Sequence, residues 1–447
     1  MAYVFITQRS LLFLCRQGVV SKGMHSLMLL GTQRINAQGH LEIGGCDTVQ
    51  LAAEFGTPLY VIDEETIRAN CRNYQAAFTK RYPRTEIYYA SKALLTLAIA
   101  RLVAQEGLFV DVASYGELYV VLQAGFPANR IAVHGNNKSR AELEFAVESR
   151  VKHIVVDNFY ELELLGQIVQ EKGVEVTVLV RTAPGVDPQT HRLIRTGQAD
   201  TKFGFNIADG SALRAVQCVL GTPGLHFRGI HCHIGSQLLD ADTHTEAAEI
   251  MTRLMKAIVT ETGATVEELN IGGGLGVRYL SSQQPPSYEE FAEKIVTTLL
   301  ADLDAAGLPH PILALEPGRA LVGEAGTTLY TIGAIKTVPV NETGGTRTYA
   351  AIDGGMSDNP RPQLYEAVYE CILANHADQP PTPPSPSPGS TARPIFSSGT
   401  RRSPPHRPVT SSPCRPRAPT ITAWPATTTA SCAPRWSSSQ TDRPILS

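Results

Sequence analysis

The chain has no run of the roughly 18 uninterrupted apolar residues that a membrane helix requires. It also has no CxxC pair among its cysteines, which stand at positions 15, 46, 71, 218, 232, 371, 414 and 432. The first absence removes a membrane-spanning role. The second speaks against zinc sites and redox dithiols, and suits reduced cytoplasmic thiols better than a disulfide framework. Excess charge of one sign is lacking as well. With a formal net charge of -3, 18% charged residues and basic side chains scattered rather than striped, nothing favours nucleic acid or a membrane surface as partner. The first 23 residues hold two apolar patches, but Arg9 and Arg16 interrupt them and no small-residue cleavage site follows. Residues 1–27 therefore read as a disordered extension ahead of a start at Met24 or Met28.

What is present is a series of short apolar runs that end in polar groups. The first, Ile87-Tyr88-Tyr89-Ala90-Ser91-Lys92, ends in an amine. Later runs end in Asp111 and Ser114, in His134 and Asn136, in Asp157, in Arg181, and in His231 and His233. The last two end in Gly272-Gly273-Gly274 and in Glu316-Pro317-Gly318-Arg319. Runs of this length, rich in Val, Ile, Leu and Phe, are the pattern of parallel strands buried on both faces. The intervals are long enough for crossover helices. Leu94, Leu95, Leu97, Ala98, Leu102 and Val103 form one helical stripe, and Leu162, Leu164, Leu165, Ile168 and Val169 another. Eight strand-helix units predict an α/β fold, a (β/α)8 TIM barrel whose chemistry sits at the carboxyl ends of the strands.

A second, mainly β domain is predicted from what flanks the barrel. Residues 28–57 form its N-terminal segment, 58–315 the barrel, and 316–378 its C-terminal part, with short β-like runs at Leu329–Ile332, Ala334–Val338 and Thr348–Ile352. The run Pro58–Ile62 reads as a strand that could serve this domain. Residues 379–447 are crowded with Pro, Ser, Thr and Arg and form a tail without apolar periodicity.

A lysine at a barrel strand end can form a Schiff base with a carbonyl cofactor, helped by a pKa that desolvation lowers. Taken singly that is a weak signal, since most lysines are surface residues. The glycine triplet allows backbone N–H groups to approach an anion, and Glu316 with Arg319 adds a carboxylate and a guanidinium to the same rim. A flexible turn and a surface ion pair are the plain readings of those two features. Together the groups match pyridoxal phosphate, which needs an amine for its aldehyde, N–H donors and a cation for its phosphate, and a charge partner for its ring nitrogen. His233 could stack on the ring, whereas His231 reads as a core histidine.

At this point six segments carry a resemblance. They are Tyr89–Ala93, His134–Ser139, His231–Gln237, Asn270–Gly274, Glu316–Arg319 and Asp353–Tyr365. In order and spacing they resemble the diaminopimelate decarboxylases, pyridoxal-phosphate enzymes of the last step of lysine synthesis. The resemblance runs from about Met28 to Asp378. It implies that Lys92 holds the cofactor covalently, that His233 stacks on the pyridine, and that Ser236 with Gly272, Gly273 and Gly274 binds phosphate. It further implies that Glu316 pairs with the ring nitrogen within the Glu316-Pro317-Gly318-Arg319 element, and that Arg319, Arg361 and Tyr365 bind substrate. Asp111 is implied close to the bond that Lys92 forms. The family also implies a homodimer with shared active sites, a small amino-acid substrate and no metal. A decarboxylase of ornithine, arginine or a carboxylated polyamine, a racemase, and a non-catalytic pyridoxal-phosphate carrier are the alternatives; Arg361 with Tyr365 favours a substrate with a second carboxylate.

The chain departs from the family after Asp378. The family's Cys-Glu pair, which follows a Gly-Lys element and is thought to protonate the product carbanion in the partner subunit, is absent, as is its later Gly-Ala-Tyr element. Codons for Arg417–Ala430, read from their third base, permit Gly-Ala-Tyr-His-Tyr-Ser-Met-Ala-Ser-Asn-Tyr-Asn-Arg. In the same phase Pro388–Arg393 permits Gly-Lys-His-Cys-Glu. The expectation is a shift of reading frame between about His376 and Pro388, leaving the β domain incomplete and the activity impaired.

Overall fold

In the computed structural model the described residues are 3–6, 29–186, 201–340, 345–365, 367–379 and 420–425. The chain first forms β1 (Tyr3–Ile6) and then a small antiparallel sheet of β2 (Arg34–Ile35), β3 (Leu41–Ile43) and β4 (Cys46–Asp47). Next comes β5 (Leu59–Asp63), which pairs parallel with β1. The barrel strands follow as β6 (Thr85–Ala90), β7 (Phe109–Val112), β8 (Ile131–Val133), β9 (His153–Val156) and β10 (Val176–Ala183). After the short β11 (Phe205–Asn206) come β12 (Leu225–Cys232), β13 (Glu268–Asn270) and β14 (Ile312–Leu315). Pairing of β14 with β6 and of β9 with β10 closes eight parallel strands into a barrel. The expected architecture is present, with β11 added on the outside of β10.

The apolar runs become strands because both faces are covered. Every residue of β8 and β9 is buried, with helices packed outside. The helix at Phe159–Lys172 turns Leu162, Leu165, Ile168 and Val169 inward, as its spacing predicts. The stripe that begins at Leu94 is shorter than expected. Thr96 accepts a hydrogen bond from the Ile99 N–H and starts the helix at Leu97, so Leu94 and Leu95 precede it. Side-chain caps recur at the rim: Ser114, Ser139 and Asn158 each accept from the backbone N–H three residues on. Each cap contributes about 1 kcal/mol and fixes where the chain leaves a strand end.

Behind the ends of β8 and β9 lies a buried ion pair. The Lys138 ammonium donates to the carbonyls of Gly135 and Val155 at 2.7 Å each and to Glu161 Oε1 at 2.8 Å. Burial raises the Glu161 carboxyl, with Lys138 opposing it. Removing one member of such a pair strands the other charge without water. Glu161→Gln is therefore expected to lower stability by about 3 kcal/mol or more, read as a reduced urea midpoint at unchanged slope.

The second sheet is built from β5, β15 (Gly326–Val340), β16 (Gly345–Ile352), β17 (Ile372–Leu373) and β18 (Thr420–Pro425), with β1 at one edge. Three of its features differ from the sequence reading. The strand expected at Pro58–Ile62 does serve the second domain, since β5 pairs antiparallel with β15, so the barrel begins after the bound of 58 given to it. All residues of β5 are buried, so its apolar pattern matches that of a barrel strand. The two runs expected at Leu329–Ile332 and Ala334–Val338 are one long strand, broken in register between Ile332 and Ile335. Finally, Tyr3–Ile6 and Thr420–Pro425, expected within structureless ends, pair with β5 and β15. Their β-branched and aromatic residues suit a pleated surface, and open strand edges supply the ladder. The rest of the expected extension and tail lies outside the described residues.

Leu41, Ile43, Leu59, Val61, Leu329 and Ala374 form this domain's core. Beyond it, Ile335 and Val368 remain 66% and 62% exposed. The five described cysteines are free, and no helix among the described residues is long and apolar enough to cross a membrane.

Candidate active site

A cavity of about 210 Å³ opens at the carboxyl ends of the barrel strands, between the barrel and the segment that follows β16. Its wall includes Lys92, His233, Ser236, Gly274, Glu316, Gly318, Arg319, Arg361 and Tyr365. Sequence reasoning named each of these, and the fold brings them together.

Lys92 sits in the tight turn Ser91–Ala93 directly after β6, with its side chain 48% exposed to the cleft. Its Nζ lies 3.3 Å from Asp111 Oδ2, a carboxylate fully buried on β7. Burial would lower the Lys92 ammonium, but the Asp111 and Glu316 carboxylates outweigh it and hold it above the ordinary lysine range. The lowered pKa expected from desolvation is thus reversed, because two acids face the amine.

Glu316 directly follows β14 and is 4% exposed. Asn270 Nδ2 donates to Oε1 at 2.8 Å, and His134 Nε2 lies 3.0 Å from the same oxygen. His231 Nε2 lies 3.0 Å from Oε2. Burial alone would raise this carboxyl; His134 and His231 beside it hold it well below the usual range. Burial also pushes His231 down to about 4, so it is neutral at physiological pH. His231 is therefore more than the core histidine expected, since one nitrogen serves Glu316. The ligand atoms of His134, His231 and Glu316 all lie within 4.8 Å of one another, as a metal site would require. His231 and Asn270, however, hydrogen-bond separate carboxylate oxygens, a donor-acceptor arrangement.

The Gly273 N–H donates to His233 Nδ1 at 3.3 Å, which leaves the proton on Nε2. Burial, then the Lys92 charge, drives His233 well below the ordinary histidine range. The imidazole is a neutral wall of the cavity.

The glycine triplet has a packing reason besides the anion-binding one. A Cβ on Gly273 would stand 2.0 Å from the Glu316 carbonyl oxygen, and Gly272 has φ +70°. Gly273 lets the turn after β13 approach the end of β14, and Gly272, whose Cβ would stand 2.5 Å from the Cys232 carbonyl oxygen, lets it approach the end of β12; Gly274, with φ +135°, is the member that reaches the cavity. Pro317 accepts at its carbonyl from the Ala90 N–H at 3.1 Å, tying the β14 turn to the turn that carries Lys92. A Cβ on Gly318 would meet Ala90 and Ala93 at 3.0 Å each.

Arg319 donates through Nε to Ser236 Oγ at 3.0 Å and through a terminal nitrogen to the Tyr279 hydroxyl. Arg361, on the short helix Arg361–Leu364, donates to the same hydroxyl at 2.9 Å. Its guanidinium also stacks on the rings of Tyr279 and Tyr365, 4.9 and 5.9 Å from their centroids. Tyr279 was missed in the sequence. It follows the glycine triplet without a distinguishing pattern, and its role depends on two arginines distant in the chain. Two further strand ends meet nearby, where Arg181 Nε lies 3.6 Å from Asp157 Oδ1 and the Arg181 guanidinium covers the Phe203 ring. Burial raises the Asp157 carboxyl, opposed by Arg181.

These residues fit pyridoxal phosphate. Lys92 supplies an amine, and Glu316 a buried carboxylate edge open to the cavity. Arg319 and Ser236 supply donors next to Gly274, where a Cβ would come within 2.9 Å of the Gly235 oxygen.

Comparison with known proteins agrees with this chemistry. Residues 64–323 match the family model described as pyridoxal-dependent decarboxylase, pyridoxal binding domain. The chain is 46% identical over 345 residues to the diaminopimelate decarboxylase of Bacillus methanolicus, covering 77% of this chain and 79% of that protein. It is likewise 46% identical over 349 residues to that of Bacillus subtilis, covering 78% of each. The crystal structure of diaminopimelate decarboxylase from M. jannaschii in co-complex with L-lysine superposes with a TM-score of 0.72 at 36% identity, covering 78% of this chain and 79% of that one.

Proposed function

The chain belongs to the diaminopimelate decarboxylases, pyridoxal-phosphate-dependent carboxy-lyases of lysine synthesis, and from that membership we propose how its own residues divide the work of releasing CO2 from meso-2,6-diaminopimelate to give L-lysine. The observation that carries the reading is the meeting of Lys92, Glu316 and two guanidinium groups in one cavity wall.

When bound, pyridoxal phosphate supplies a carbonyl for the substrate amine and an electron sink for the pair left by the departing carboxylate. Lys92 would hold it covalently, with Asp111 at 3.3 Å placed to keep the amine's proton. Ser236, Arg319 and Gly274 would seat the phosphate, with Gly272 and Gly273 shaping the turn behind. His233, neutral and half-buried, would flank the ring. Glu316 would face the ring nitrogen.

Arg361 and Tyr365 come from the other side of the cleft. A guanidinium steadied by two aromatic faces and a hydroxyl presents a fixed plane to a carboxylate, the group that distinguishes this substrate from ornithine or a polyamine precursor. Arg361→Leu is expected to weaken meso-diaminopimelate binding by about tenfold or more, with cofactor retention unchanged. Titration of the cofactor absorbance with substrate measures both.

Dimerisation belongs to the same proposal, supported by the exposed Ile335 and Val368. So does a reducing, cytoplasmic setting, which the free cysteines suit. The chain as it stands would be weakly active, because the Cys-Glu and Gly-Ala-Tyr elements are missing from residues 379–447. Measuring CO2 release from meso-diaminopimelate against ornithine, arginine and lysine tests the assignment. Preferential turnover of any of the latter three would replace it.

A further inference from the structure

We infer that Tyr279 is a specificity-determining positioning residue: its hydroxyl, shared by two guanidinium groups, fixes Arg361 relative to Arg319 and so sets the selection for a second carboxylate. The inference rests on the assignment of Arg361 to the distal carboxylate and of Arg319 to the phosphate. Tyr279 itself is 5% exposed and stands behind the cavity, whose wall takes in both arginines. A hydroxyl oxygen has two acceptor positions. Arg319 donates to this one, and so does Arg361 at 2.9 Å. Two cations from distant parts of the chain thus converge on one neutral atom. The Tyr279 ring lies under both, 5.8 and 4.9 Å from the guanidinium carbons of Arg319 and Arg361. A ring face limits how far a guanidinium lifts away but not how it turns in its own plane. The hydrogen bond to the hydroxyl fixes that angle.

The oxygen is itself held in place. The Tyr279 N–H donates to Gln283 Oε1 at 2.9 Å, and the ring meets that of Tyr369 edge to face, 5.4 Å apart at 80°. Just before it, Val277 is bonded through its N–H and its carbonyl to the Gln237 amide, at 3.2 and 2.7 Å. Gln237 follows Ser236, whose hydroxyl accepts from Arg319 Nε. Just after it, Ser281 donates through its N–H and its hydroxyl to Glu370 Oε1, at 2.9 and 2.7 Å. The loop around Tyr279 is therefore joined to the phosphate side of the rim at one end. At the other it is joined to the segment that carries Arg361, Tyr365 and Tyr369.

A tyrosine suits this task where an acid would not. A carboxylate between the two arginines would pair with them and compete with the anions they are there to bind. A neutral acceptor orients both guanidinium groups and leaves both positive charges for ligands. Phenylalanine would keep the ring under Arg361 and its packing against Tyr369 but leave the guanidinium free to turn. Tyr279 thus acts through Arg361, and the hydroxyl is the part that matters for the second carboxylate.

The test titrates the cofactor absorbance of the full chain, saturated with pyridoxal phosphate, with meso-diaminopimelate and with D-lysine. The product L-lysine keeps the L centre, so the carboxylate that leaves belongs to the D centre. D-Lysine has that centre and the distal amine and lacks only the distal carboxylate. The readout is the ratio of the two dissociation constants, in which a change at the phosphate seat cancels because both ligands share it. Wild type is expected to favour meso-diaminopimelate by about tenfold or more. Tyr279→Phe, with folding checked by thermal denaturation, is expected to lower that ratio about fivefold. Arg361→Leu lowers it at least as far, and adding Tyr279→Phe to Arg361→Leu changes it by less than about twofold. A ratio unchanged in Tyr279→Phe, while Arg361→Leu lowers it, overturns the inference alone. So does equal weakening of both ligands, the mark of a merely structural tyrosine, and so does an additive loss in the double variant. A wild-type ratio near one, or a ratio unchanged in Arg361→Leu, overturns the assignment of Arg361 and the inference with it.

Discussion

Replacing Lys92 with alanine is expected to abolish covalent capture of pyridoxal phosphate, so that borohydride reduction followed by mass measurement finds the unlabelled polypeptide alone. Lys92 is the amine that reaches the cavity from the β6 turn, and its position is fixed twice over. The Ala90 N–H is tied to Pro317, and Nζ is drawn to Asp111. Lys138, the lysine behind the ends of β8 and β9, cannot substitute. Its ammonium is buried and committed to two carbonyls and Glu161. Noncovalent seating through Arg319, Ser236 and Glu316 would persist, so the variant can still bind cofactor reversibly. Decarboxylation should fall by more than about 10²-fold, since the role proposed for Lys92 is to deliver the cofactor carbonyl to the substrate. Equal labelling of variant and wild type would remove Lys92 from the role.

The second large effect concerns residues 379–447. A gene altered by one or two bases between the codons of about His376 and Pro388, so that downstream codons are read from their present third base, is expected to yield an enzyme about 10²- to 10⁴-fold faster in CO2 release. The physical basis is the recovery of a positioned proton donor and of a substrate ligand. The same change should cover the apolar surface around β15, where Ile335 stands 66% exposed, along with Val368 at 62%. Dimer formation in solution is therefore expected to accompany the gain in rate. Equal rates for the two proteins, or an uninterrupted frame in the gene that leaves no room for the alternative reading, would end the proposal.

How much of this could be read beforehand differs between the two domains. The barrel and its rim were legible because each strand is a local apolar run that ends in a functional group: Lys92 after β6, His233 after β12, Glu316 after β14. Local signals failed where partners are far apart in sequence. The composition of Leu59–Asp63 fits either domain; it was expected as a strand of the second yet included in the barrel span, and its pairing with β15 across more than 250 intervening residues fixes the boundary. The register shift at Ile332/Ile335 made one strand look like two. At the site, Tyr279 and the contacts of His134 and His231 with Glu316 were hidden for the same reason. A hydroxyl between two arginines leaves no periodicity, and a histidine at a strand end looks the same whether it faces packing or a carboxylate. The pKa of Lys92 was misjudged because burial was legible and the opposing Asp111 and Glu316 charges were not.

The groups proposed for the cofactor arise from the barrel's own strand ends, whereas Arg361 and Tyr365 arrive on a short helix beyond β16, joined to the rim by the Tyr279 hydroxyl. Reactivity and taste are therefore written in separate stretches of the gene. Descendants of this scaffold can change diet by altering a handful of codons past β16, inheriting the vitamin's seat untouched.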